Sequence, residues 1–171
     1  MKIYYLVILF VSAAFLTACD PDYEVSQYFD LEELPGYVAF DADGNNATLD
    51  DFEAAEDDGT VEVIVENPTG TLSDITVNYA LSGSAVFGTD YNIAGASAAG
   101  GSLTIRPNSR AVNETNRATI VVELLTDGVA DGEKTITLTL SDASNTEGTV
   151  AVGRGGTDLL KTANVVIADI D

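Results

Sequence analysis

An all-β fold, an antiparallel sandwich of about seven short strands forming a single domain, is what this sequence predicts, on three observations. Apolar, largely β-branched residues alternate with polar ones at Val61, Val63, Val65, at Ile75, Val77, Tyr79, Leu81 and at Ile136, Leu138, Leu140, a period of two that places one set of side chains on one face of a strand. Turn-forming runs, Asn67-Pro68-Thr69-Gly70, Gly100-Gly101 and Asp127-Gly128, punctuate these stretches at short intervals. No segment beyond residue 35 sustains helical spacing.

Taken in order, the pattern predicts strands over 37–40, 61–65, 75–81, 102–106, 118–125, 136–140 and 162–168. Short strands of this composition, joined by polar turns, bury one face each and are satisfied by two packed sheets, the immunoglobulin-like arrangement. Residues 36–171 supply enough chain for one core.

The N-terminal part reads differently. Lys2 is followed by an apolar run, Ile3 to Leu16, that ends in Leu16-Thr17-Ala18-Cys19. The run is short for a membrane span, which needs roughly 20 residues, and has the layout of a secretory signal. Residues 1–18 are therefore expected to be a signal peptide resembling those of bacterial lipoproteins, with Cys19, the only cysteine in the chain, as the lipidation site. Acyl chains on Cys19 would give stable membrane anchoring and leave no thiol for a disulfide. Residues 19–35 carry six acidic side chains and no basic one and read as a tether. An acidic stretch directly after a lipidated cysteine resembles a surface-export signal, so Asp20, Asp22 and Glu24 favour display on the outer face of a bacterial outer membrane.

Charge narrows the partners. With 28 acidic and 7 basic residues the formal net charge is −21, which excludes nucleic acid and points to a cation or a basic surface. The acids are also unevenly placed. If consecutive strands alternate in direction, the connections 41–59, 82–101, 126–134 and 168–171 share one end of the sandwich, and 66–74, 106–117 and 141–161 the other. The first set holds Asp41, Glu56, Asp90, Asp131, Asp169 and further acids against Lys134 alone, whereas in the second Arg106, Arg110, Arg117, Arg154 and Lys161 balance the acids. Two carboxylates about 5 Å apart repel by roughly 3 kcal/mol at an effective dielectric near 20. Such an end must spread, protonate or take up cations, and calcium accepts the carboxylate and carbonyl oxygens that loops supply.

Glu56-Asp57-Asp58-Gly59-Thr60-Val61, Gly88-Thr89-Asp90-Tyr91, Gly101-Ser102-Leu103-Thr104-Ile105 and the closing Val166-Ile167-Ala168-Asp169-Ile170-Asp171 together resemble the Calx-beta domain, a calcium-binding sandwich, over about residues 52–171. The resemblance implies metal ligands at Glu56, Asp90, Asp127, Asp131, Asp169 and Asp171. Several positions depart from the family pattern. Thr126 replaces an acid, Asp131 stands where Glu is usual, Lys134 replaces another acid, and Ala168 and Ile170 interrupt the terminal acidic run; Lys134 in particular has the reach to act as a substitute cation. Asp41-Ala42-Asp43-Gly44-Asn45 fails as an EF-hand loop, because its Gly is fourth and Phe52 occupies position twelve.

The chain has no histidine and its one cysteine is assigned to lipid, which removes Ser-His-Asp, Cys-His and zinc chemistry. No enzyme activity is expected. The reading is a lipid-anchored cell-envelope protein with a calcium-binding sandwich serving adhesion, binding or structure. The alternative is a calcium-independent sandwich that binds a surface protein or glycan through Tyr79, Phe87 or Tyr91, although core packing is the more ordinary role for these aromatics.

Overall fold

The computed structural model describes residues 36–42, 47–107, 116–126 and 128–170. The signal peptide and the tether expected over 1–35, including Cys19, lie outside the described residues, as do Asp43, Asp127 and Asp171.

Among the described residues there is no α-helix; ten strands carry the fold. These are β1 (Tyr37–Phe40), β2 (Phe52–Ala55), β3 (Thr60–Glu66), β4 (Ile75–Gly83), β5 (Tyr91–Ile93), β6 (Gly100–Ile105), β7 (Arg117–Leu124), β8 (Lys134–Asn145), β9 (Gly148–Val152) and β10 (Thr162–Ala168), with one 3-10 turn at Arg154–Gly156. One layer runs β2-β10-β8-β4-β6 and the other β1-β3-β7-β5, with β9 joining them by pairing with both β8 and β1. The expected immunoglobulin-like β-sandwich is therefore what forms. All pairs are antiparallel except β1 with β9 and β10 with β2.

The alternation read from the sequence is what builds the core. Val63 and Val65 of β3, Val77 of β4, Val122 of β7, Leu138 of β8 and Val165 of β10 are fully buried, and each strand's polar residues between them face outward. Burying one such aliphatic side chain contributes about 1.5–3 kcal/mol, which explains why the alternating segments β3, β4, β7, β8 and β10 became strands.

Three strands were not anticipated, each for a local reason. Strand β2, Phe-Glu-Ala-Ala, has no β-branched alternation and exists by parallel pairing with β10; β5 is three residues long. Strand β9 follows a tight turn, where Asn145 Oδ1 accepts from the N–H groups of Glu147 and Gly148. Strand β8 also runs past Leu140 to Asn145, because the register with β4 shifts between Asn78 and Tyr79. Ser141 is the extra residue, so Ser141 and Asp142 are both exposed before Ala143 turns inward again. A bulge of this kind resets the alternation and hides the second half of a strand from a period-two reading.

Two adjacent glycines show how closely neighbouring strands of one layer approach. Gly100 adopts φ +136°, and a Cβ there would lie 2.0 Å from the Tyr79 carbonyl oxygen; a Cβ on Gly101 would lie 2.6 Å from the Tyr79 hydroxyl. The Gly-x-Leu-x-Ile run thus carries glycine because Tyr79 of the neighbouring strand occupies the side-chain space.

Candidate functional site: a lysine-bridged acidic end

The end of the sandwich where β3 begins is assembled from four loops. The 84–90 connection crosses from β4 in one layer to β5 in the other, and Gly88, at φ +81°, turns the chain within it. The Asp90 N–H and the Thr89 N–H both donate to the Val86 carbonyl, at 2.9 and 3.1 Å. The Val86 N–H in return donates to Asp90 Oδ2. The Gly-Thr-Asp-Tyr segment is thereby a self-closed turn whose aspartate is its own cap, and Asp90 is only 1% exposed. Tyr91 behind it is buried and meets Phe87 edge-on, with ring centroids 5.6 Å apart. Burial, then the Asp90 and Tyr79 charges, push the Tyr91 phenol above its ordinary range; burial alone does so for Tyr79. Tyr79 and Tyr91 pack in the core, with Phe87 half-buried against it.

Glu56 closes the second loop. It follows β2, is 3% exposed, and its N–H donates to the Ala168 carbonyl at 3.2 Å. Its carbonyl accepts from the Thr126 hydroxyl at 3.5 Å, while the adjacent Leu125 N–H donates to the Asp90 carbonyl at 2.9 Å. The end of β7 therefore ties the Glu56 loop to the Asp90 loop. Asp58 caps the same turn, accepting from the Ala55 N–H at 2.7 Å. In the fourth loop, just beyond β10, Asp169 Oδ2 accepts from the Gly132 N–H, joining the C-terminal segment to the 128–133 connection.

Lys134 lies at the centre of this assembly. It opens β8 two residues before Ile136, four before Leu138 and six before Leu140, so it occupies an inward position on the face that otherwise forms the core. A lysine there must run its stem along apolar surface and find a carboxylate for its head. Its ammonium donates to Asp90 Oδ1 at 2.7 Å and to Asp131 Oδ2. The side chain is 14% exposed, against 1% for Asp90 and 35% for Asp131. The hydrogen bond to Asp131, then that to Asp90, hold its proton far above the ordinary lysine range.

Of the six sequence-predicted ligands, the described structure brings Glu56, Asp90, Asp131 and Asp169 to this one end; Asp127 and Asp171 lie outside the described residues. Asp41, sorted to the same end by strand parity, belongs elsewhere. The chain leaves β1 midway along β3, with the Asp41 N–H on the Ile64 carbonyl at 2.9 Å. The Asp41 carboxylate pairs with Arg117 at 3.0 Å, which also reaches Glu66 at 3.2 Å. Thr126, Gly132 and the Val86 N–H were not singled out as parts of this loop network. Gly132 adopts φ +85° directly after Asp131, a conformation suited to glycine in a turn.

The donor chemistry suits a hard cation such as calcium, being all carboxylate and carbonyl oxygen. The spacing does not complete a cage: among the described residues no group of three or more acidic side chains is close enough to hold a metal ion. Asp90 and Asp131 do not fit a divalent ion as they stand, because the Lys134 ammonium lies between them.

Known structures agree with the fold. The crystal structure of the apo-form Calx CBD1 domain is similar at 20% identity and TM-score 0.55, with 80% of this chain and 98% of that one covered. The Calx CBD2 domain is similar at 17% identity and TM-score 0.55 over 78% of this chain and 86% of that one. The calcium binding domain CBD12 of CALX1.1 is similar at 22% identity and TM-score 0.51 over 70% of this chain, which spans 42% of that longer chain. No protein-family model matches the chain, and no curated protein does.

Proposed function

We propose that this chain is a lipid-anchored protein of the bacterial cell envelope, held at the outer membrane through Cys19 and displayed on its surface, whose sandwich binds calcium at the acidic end and acts as a module for adhesion or assembly. The observation that carries it is the convergence of Glu56, Asp90, Asp131 and Asp169 from four separate loops on one end of the sandwich, two of them almost wholly buried. Carboxylates gathered at a partly buried end favour a cation beside them. The similarity to calcium-binding Calx domains and the lipoprotein-like Leu16-to-Cys19 box support the same reading. Glu56 and Asp169, with Asp127 and Asp171, are the proposed ligands.

A calcium-independent module for a protein or glycan partner is the second reading. It is favoured by the Lys134 bridge, which already neutralises part of the charge at Asp90 and Asp131. Thermal melts of residues 20–171, which contain every described strand, separate the two. Binding to the folded state raises stability by RT ln(1 + [L]/Kd). A calcium-specific rise in Tm, absent with magnesium and lost in Glu56→Gln, supports the calcium module. A flat response through millimolar calcium sinks it in favour of the second reading.

A further inference from the structure

The geometry points to Lys134 as a built-in competitor of divalent cations: its ammonium holds the Asp90–Asp131 position, so this one residue sets how many calcium ions the acidic end takes and how tightly. The inference rests on the calcium reading of the acidic end and concerns its Asp90–Asp131 pair.

Three observations carry it. Lys134 is fixed by its strand, since its backbone pairs with Ile167 of β10 and its side chain continues the inward row of Ile136 and Leu138. Its head joins carboxylates from two loops, Asp90 from the β4–β5 crossing and Asp131 from the 128–133 connection. Both oxygens of Asp90 are engaged, Oδ1 by Lys134 and Oδ2 by the Val86 N–H. A divalent ion bridging two loops through their carboxylates would do what the ammonium already does: neutralise the pair and fix one loop against the other. Entry of such an ion requires the ammonium to leave, because two cations within a few ångströms of the same carboxylates repel strongly where water screens poorly. Glutamine retains much of the packing volume of lysine but not its charge, so Lys134→Gln vacates the position without emptying it.

The test is calorimetric titration of calcium into residues 20–171 carrying Lys134, Lys134→Gln or Lys134→Arg, with near-ultraviolet circular dichroism confirming the fold in chelator. Lys134→Gln is expected to bind at least one more ion than the unaltered chain, or to bind at least about tenfold more tightly, and Lys134→Arg to match the unaltered chain. The added ion is expected to vanish in Lys134→Gln/Asp90→Asn. Equal stoichiometry and affinity in Lys134→Gln and the unaltered chain overturns the proposal, whether both bind or neither does. If the unaltered chain takes no calcium while Lys134→Gln does, the calcium reading of the natural protein fails and the competitor role of Lys134 stands. Should Lys134→Gln not fold, acetylation of Lys134 in the folded, unaltered chain decides: removing the charge while keeping the stem is expected to add a bound calcium ion or to tighten binding about tenfold, and a calcium titration unchanged by acetylation overturns the proposal.

Discussion

Replacing Asp90 by alanine removes two interactions at once, and their sizes follow from the geometry. The Val86 N–H donates to Asp90 Oδ2 inside a closed turn, a part-buried bond. Losing such a carboxylate cap costs about 0.5–2 kcal/mol. The second loss is smaller than it first looks, because Lys134 keeps Asp131 as a partner after Asp90 has gone; that partner prevents the larger penalty of an uncompensated buried charge. About 2–4 kcal/mol is the expected total for Asp90→Ala. A domain of this size loses roughly 2–6 °C of Tm per kcal/mol, so a fall of about 5–20 °C is expected in chelator. Asp90→Asn retains an oxygen for the Val86 N–H but not the charge, and should lose about half as much. Chemical and thermal unfolding of residues 20–171 in chelator measures both. A loss below about 0.5 kcal/mol, the usual range for an exposed substitution, would refute the claim that this carboxylate is integrated into the loop structure.

Alkaline stability follows from the titrating groups. Tyr79, Tyr91 and Lys134 all bind their protons more tightly in the folded state, so above about pH 10 the unfolded chain releases protons first and stability must fall as pH rises. Denaturant midpoints between pH 8 and pH 11.5 should therefore decline, and a rise would contradict the burial and pairing described. Gly100→Ala should cost about 3 kcal/mol or more, because its φ is +136° and the new Cβ meets main chain at 2.0 Å. Gly88→Ala, also at positive φ but with open space around it, should cost only about 1–2 kcal/mol; equal losses would contradict the close approach at Tyr79. Leu138→Ala, at a fully buried site between the layers, should cost about 2–5 kcal/mol. Cys19→Ala should release the expressed protein from the membrane fraction, and retention there would contradict the lipid anchor.

How much of this could be read from the residues is decided by what kind of force made each element. Strands whose inward residues are Val, Ile or Leu announced themselves, because period-two burial is written directly into β3, β4, β7, β8 and β10. Strands made by pairing alone did not: Phe52-Glu-Ala-Ala and Gly148-Thr-Val-Ala-Val carry little alternation, and the bulge at Ser141 interrupted an otherwise regular strand. The acidic end was legible because loop parity depends only on strand direction. Strand β1 runs antiparallel to β3, and β2 leads into it at the same end, so omitting the second strand did not move Glu56. Asp41 was misplaced because parity assumes full-length strands, and β1 stops four residues in. The pairing of Lys134 with Asp90 was foreshadowed by a lysine at an acid's position with the reach to act as a substitute cation; its second partner, Asp131, and the Gly132 contact to Asp169 depend on loop geometry that no local pattern encodes.

A crystal structure of residues 20–171 grown in excess calcium would test the central claim most directly. The account predicts a calcium ion held by oxygens that include Glu56 or Asp169, with the Lys134 ammonium still bridging Asp90 and Asp131. No ion at that end would contradict it.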